Sequence, residues 1–105
     1  MARCAVYRNK NARTKATFPL LVDVQSELLD ELQTRVVIPL TRVAALARTP
    51  LSHLTPILTF EGETYLLMTP QLAGVAKSDL GPLAGSLVDQ RAVILAAVDF
   101  LLTGF

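Results

Sequence analysis

The stretch "ILTFEGETYLLM", Ile57 to Met68, admits few backbone conformations. Two strand-like arms flank Glu61-Gly62-Glu63, and Gly62 supplies the backbone freedom that a tight hairpin turn requires. An antiparallel strand pair is expected here, and three further stretches carry strand character. Ala5 to Arg8 reads as a short strand and Phe18 to Gln25 as a second. In the latter, Val22 and Val24 share one face and Leu21 and Asp23 the other. Asp23 is polar within an apolar run, so it either faces water or accepts a specific hydrogen bond. "RVVIPL", Arg35 to Leu40, is a β-branched run in which Pro39 suits a sheet edge or strand end.

The connections are less determined. Asn9 to Thr17 is rich in Asn, Lys, Arg and Thr and predicts a flexible loop. "SELLDELQ", Ser26 to Gln33, fits a short helix capped by Ser26, and equally a turn that leaves its leucines at the surface. Thr41 to His53 has weak helical character broken by Pro50. Leu72 to Ser86, with Gly74, Gly81, Pro82 and Gly85, predicts irregular structure.

The last segment predicts a helix. Ser86 is placed as N-cap with Asp89 in the first turn, where the helix dipole favours an acid, and Gly104 is the stop. At helical spacing Val93, Ile94, Ala97, Phe100 and Leu101 share a face expected to pack on the sheet. The opposite face carries Val88, Arg91, Leu95, Asp99 and Leu102. A solvated face has no need of leucines flanking two charges, so this stripe reads as a contact surface, and nearly equally as scattered surface leucines of the ordinary kind.

At 105 residues the chain is expected to form one domain, residues 1–105. Hydrophobic residues make up 51% and charged residues 18%, a heavy apolar load for a small domain. Some of that surface is therefore expected to be covered by another chain, most economically a second copy. The apolar run near the C-terminus is interrupted by Asp99 and too short for a membrane of ~30 Å. The N-terminal residues lack the apolar core of a secretory signal, so a cytoplasmic protein is expected. The single Cys4 forms no intramolecular disulfide and reads as a small apolar residue of an N-terminal strand.

The net charge of +1 conceals an asymmetry, because Arg3, Arg8, Lys10, Arg13 and Lys15 occur with no acidic residue among them. Such a patch suits nucleic acid or an acidic peptide, and equally a solvated loop. Catalytic constellations are lacking. There is no Gly-rich phosphate loop, no nucleophile elbow and no Cys–His pair at a useful spacing. His53, in the loop-like "PLSHLTP", reads as a surface or packing residue. No metal or cofactor is expected, and a binding protein is favoured over an enzyme.

"LVDVQSELLDELQTRVVIPL", Leu21 to Leu40, closely resembles the CcdB toxins of bacterial toxin–antitoxin modules. The matching elements are Val22-Asp23-Val24-Gln25-Ser26, Leu28-Leu29-Asp30, Arg35 and Val37-Ile38-Pro39-Leu40. "LTPILTFEGETYLLMT", "LAGVAKSDLG" and the closing "AVDFLLTGF" agree with the same family. The resemblance implies a mainly β fold, an SH3-like barrel of antiparallel sheets with a C-terminal α-helix. On that fold Ser26 to Gln33 is a strand end and loop, and Thr41 to His53 is mostly connection.

The resemblance also implies a mechanism. Toxins of this family are homodimers that bind the DNA gyrase A subunit and trap it on cleaved DNA, so DNA is engaged only through gyrase or the antitoxin. They act by preferring one state of their target rather than by catalysis. A CcdA-like antitoxin neutralises them with a disordered tail. Carried over by position, the gyrase-contacting residues are Leu28, Leu29, Asp99, Leu102, Thr103, Gly104 and Phe105, with Gln25 and Ser26 as lesser members. Arg8, Lys10, Asn11, Arg13 and Lys15 correspond to the region facing the antitoxin. The chain departs from the best-known family ending, which has Trp before the glycine and a final Ile; Thr103 and Phe105 stand there instead. Losing that ring removes roughly 1–3 kcal/mol of contact unless Phe105 supplies it. Since MazF and Kid ribonucleases share the architecture, an endoribonuclease toxin is the alternative. A relic that only binds an antitoxin or regulates its operon is the third.

Overall fold

The computed structural model describes residues 4–43 and 53–104. The segment 44–52, read above as connection, and Arg3 and Phe105 lie outside those residues. Among the described residues seven strands form an antiparallel sheet, followed by one α-helix: β1 (Ala5–Asn9), β2 (Leu20–Asp23), β3 (Thr34–Arg42), β4 (Ile57–Phe60), β5 (Glu63–Leu67), β6 (Ala73–Ala76), β7 (Leu80–Ser86) and α1 (Arg91–Thr103). The strand order is β4-β5-β3-β2-β1-β7, with β6 paired to β3 beside this path. The sheet curls into a half-barrel, as the SH3-like expectation requires. No helix among the described residues is long and apolar enough to cross a membrane.

Turn chemistry determines the β4–β5 hairpin. Glu61 and Gly62 take φ of 51° and 81°, a pair of left-handed residues whose twist matches that of the flanking strands. Alternation then sets the faces. Val22, Ile38, Leu40, Leu58 and Leu67 belong to the core with Val6, Phe60 and Tyr65, and Val24 packs against it. Leu21, opposite Pro39 in the register, lies on the other face.

Two sequence expectations are corrected by pairing that is remote in the chain. Pro39 is neither at an edge nor at a strand end; it is buried inside the nine-residue β3. There β3 exchanges partners, from β6 along Thr34–Val37 to β5 along Leu40–Arg42. The missing N–H of Pro39 falls in the gap between them, while its carbonyl accepts from Met68 N at 2.9 Å. Residues 72–86, expected to be irregular, supply β6 and β7. Gly81 permits this, since a Cβ there would collide with the Arg8 backbone carbonyl on β1. Cys4 is buried as expected but precedes β1, with φ of 63°.

Local readings are also refined. Within Ser26 to Gln33 a single 3-10 turn, Glu27–Leu29, forms with the Ser26 side chain as its cap. Residues 9–17 are not a featureless loop: Asn9 Nδ2 donates to Thr14 Oγ1 and Phe18 O, and Asn11 Oδ1 accepts from Arg13 N. Asn side chains substitute for backbone partners in such turns. Ser86 is not the N-cap of α1: its Oγ accepts from Val88 N ahead of a 3-10 turn, Val88–Gln90, which contains Asp89 and has Leu87 at its N-cap, and α1 begins at Arg91 with Gln90 at its N-cap. The helix ends as predicted at Gly104, in left-handed conformation with its N–H on Phe100 O.

The buried stripe of α1 is narrower than expected and rotated towards Val98. Ile94 and Ala97 are fully buried and Val98 packs on the core, whereas Val93 and Leu101, expected inside, are exposed. Phe100 is half-buried, its ring tilted against His53 with centroids 6.2 Å apart. Where α1 begins, Gln90 grips the edge strand: Thr59 N donates to Gln90 Oε1 at 3.1 Å, and Gln90 Nε2 donates to Thr59 O at 2.7 Å. A side-chain amide thereby pairs with β4 on the edge that carries no strand among the described residues.

Candidate functional site

Large apolar side chains left in water stand out in so small a chain. Leu28 is 93% exposed and Leu102 73% exposed, and both were predicted contact residues. Leu28 projects from the 3-10 turn between β2 and β3, beside the exposed Leu29. Leu102 lies in the last turn of α1, where Asp99, Thr103 and Gly104 are exposed as well. The Thr103 hydroxyl donates to Asp99 O at 2.7 Å, so its proton is spent on the helix itself. Phe105 lies outside the described residues. Separate elements carry the leucine turn and the helix end, and no hydrogen bond or ion pair among the described residues joins them.

The turn bearing Leu28 and Leu29 stands on a buried ionic base. Asp23 is fully buried and Arg35 is 3% exposed. Arg35 donates from Nε to Asp23 Oδ2 at 2.7 Å and from Nη2 to Asp23 Oδ1 at 3.1 Å, a bidentate pair. Of the two roles open to Asp23, the specific hydrogen bond is the one observed. The remaining guanidinium nitrogen, Nη1, reaches Asp30 Oδ1 at 3.0 Å, just beyond the turn. The Arg35 pKa is raised above its ordinary value, chiefly by the hydrogen bonds to Asp23. Burial opposes this, and the charge of Asp23 and the bond and charge of Asp30 add to it. Gln25 is buried too, its Nε2 donating to Leu29 O at 3.1 Å and its Oε1 accepting from Val36 N at 3.0 Å.

The five residues predicted to face an antitoxin lie on β1 and the loop after it. Arg8, Lys10, Asn11, Arg13 and Lys15 are all exposed. Only Lys10 and Asn11 line a groove of about 620 Å³ between this loop and the outer face of the sheet. Phe18, Leu21, Val37, Pro39 and Val75 give the groove an apolar lining, and Asp79 and Gln71 lie at it too. Sequence reasoning missed this lining, although alternation had placed Leu21 on the face opposite Val22. Val37, Pro39 and Val75 come from β3 and β6, whose pairing is invisible locally.

The family model described as CcdB protein matches residues 3–104, nearly the whole chain.

Proposed function

The chain belongs to the CcdB family of toxins from toxin–antitoxin systems, and on that premise we propose that it is a gyrase poison. The observation that carries this reading is the exposure of Leu28 and Leu102, at 93% and 73%, on a capped turn and a helix end. Aliphatic side chains held in water on ordered backbone lose little entropy on docking and gain the free energy of their burial. Leu28, Leu29, Asp99, Leu102, Thr103, Gly104 and Phe105 form the surface that meets the gyrase A subunit. A homodimer places two such surfaces about one axis. The toxin acts by binding the gyrase state that holds cleaved DNA better than the others, so that state accumulates.

The groove beside the basic loop suits the CcdA-like antitoxin. An acidic, disordered tail with apolar side chains matches an apolar lining next to Lys10 and the neighbouring Arg8, Arg13 and Lys15. The test of the toxin reading is a cleavage assay with purified protein, gyrase and supercoiled plasmid. Linear DNA released by protease after detergent is expected at excess toxin, and a chain lacking residues 103–105 is expected to fold yet release none. Undisturbed supercoiling at excess toxin refutes the reading.

A further inference from the structure

An apolar side chain almost wholly in water ordinarily sits on loosely held chain, and Leu28 does not. Leu28 N donates to Ser26 Oγ at 3.2 Å and Leu29 N to Ser26 O at 3.0 Å, closing the turn from its start. Gln25 holds Leu29 O, and Arg35 holds the Asp30 carboxylate. From β6's far end Lys77 donates its Nζ to Asp30 O, and its own N–H to Gln33 O at 2.8 Å. The turn thus buries none of its own residues, yet side chains from two neighbouring segments grip it on both flanks.

We infer that Asp30, Lys77 and Arg35 are positioning residues, which hold the Leu28–Leu29 turn in its docking conformation before the partner arrives. Arg35 is the hub. Its bidentate bond to the buried Asp23 aims the guanidinium, leaving Nη1 for Asp30. The fully buried Asp23 thereby directs the guanidinium that holds the far end of an exposed turn. Pre-ordering of this kind reduces the entropy lost on association, so it shows in affinity more than in fold stability. The inference rests on the reading of Leu28 and Leu29 as gyrase-contacting residues.

The test uses the full-length chain and purified gyrase A subunit. Asp30→Ala and Lys77→Met lie at exposed or half-exposed sites and are expected to fold normally. Hydrogen exchange at the Leu29, Asp30 and Leu32 amides is expected to become about three- to tenfold faster, with Ile38 and Leu40 unchanged. Affinity for gyrase A is expected to fall by a similar factor, and Asp30→Asn, which keeps an acceptor for Arg35, is expected to recover most of both losses. Faster exchange with unchanged affinity overturns the inference, as does unaltered exchange. Leu28→Ala separates the two levels: if it leaves gyrase A affinity unchanged, the contact surface is wrong and the positioning role falls with it.

Discussion

Replacing Arg35 by Met is the most demanding test of how the fold supports its proposed binding surface. The substitution keeps much of the apolar stem and removes three donors. Asp23 Oδ2 then loses its bond to Nε, while Oδ1 retains only Gln25 N at 3.0 Å. A carboxylate with no solvent exposure is left charged with no counterion, which costs about 3–5 kcal/mol. The Asp30 bond adds little, because that side chain is 46% exposed and water replaces its partner. A chain of this size is stable by roughly 5–15 kcal/mol, so about a fifth or more is at stake and Tm should fall by about 15–25 °C. Asp23→Asn should cost less, since Arg35 keeps Asp30 and the Asn oxygen still accepts from Gln25 N. The double variant Asp23→Asn/Arg35→Met should regain at least about 2 kcal/mol over Arg35→Met alone, because the stranded charge is gone. The sequence has no Trp, so urea unfolding is best followed by far-UV circular dichroism. Protein concentration must be fixed, since association contributes to apparent stability. A loss below about 1 kcal/mol for Arg35→Met, or a double variant no better than it, refutes the argument.

Three other perturbations probe separate features. Glu61→Asn should stabilise the hairpin by up to about 1 kcal/mol, seen as a higher Tm, because Asn tolerates the left-handed φ of 51° better than Glu. Gln90→Ala should cost about 1–2 kcal/mol in urea and increase self-association in light scattering, because it uncovers Thr59 on the edge strand. Leu28→Ala and Leu102→Ala should each change stability by less than about 0.5 kcal/mol while weakening capture of gyrase A, a separation that buried leucines cannot show.

Features set by neighbouring residues were the legible ones. The hairpin at Ile57–Met68 and the stop at Gly104 follow from backbone conformations that few residues adopt, and both stand where the sequence placed them. Pro39 was misplaced because its tolerance depends on which strands flank it, and β6 and β5 lie some thirty residues further along the chain. Residues 72–86 were missed for a related reason: glycine and proline weaken a strand locally, but pairing to β3 and β1 outweighs propensity. The contact residues were named through family resemblance, and the structure adds that Leu28 and Leu102 are exposed. Asp23 shows the limit most clearly. The sequence restricted it to water or a specific bond, and Arg35, twelve residues away, decided between them.

The amide of Gln90 that substitutes for a strand along Thr59 also imposes an order on synthesis. These residues are 31 positions apart, so the ribosome delivers the open edge well before the group that closes it. At translation rates of about 5–20 residues per second, the interval is roughly two to six seconds. During it a nascent chain presents unpaired peptide groups to its neighbours on the same message. Crowded translation therefore leaves this edge open to pairing with copies of the chain, and emergence of the helix start ends that interval.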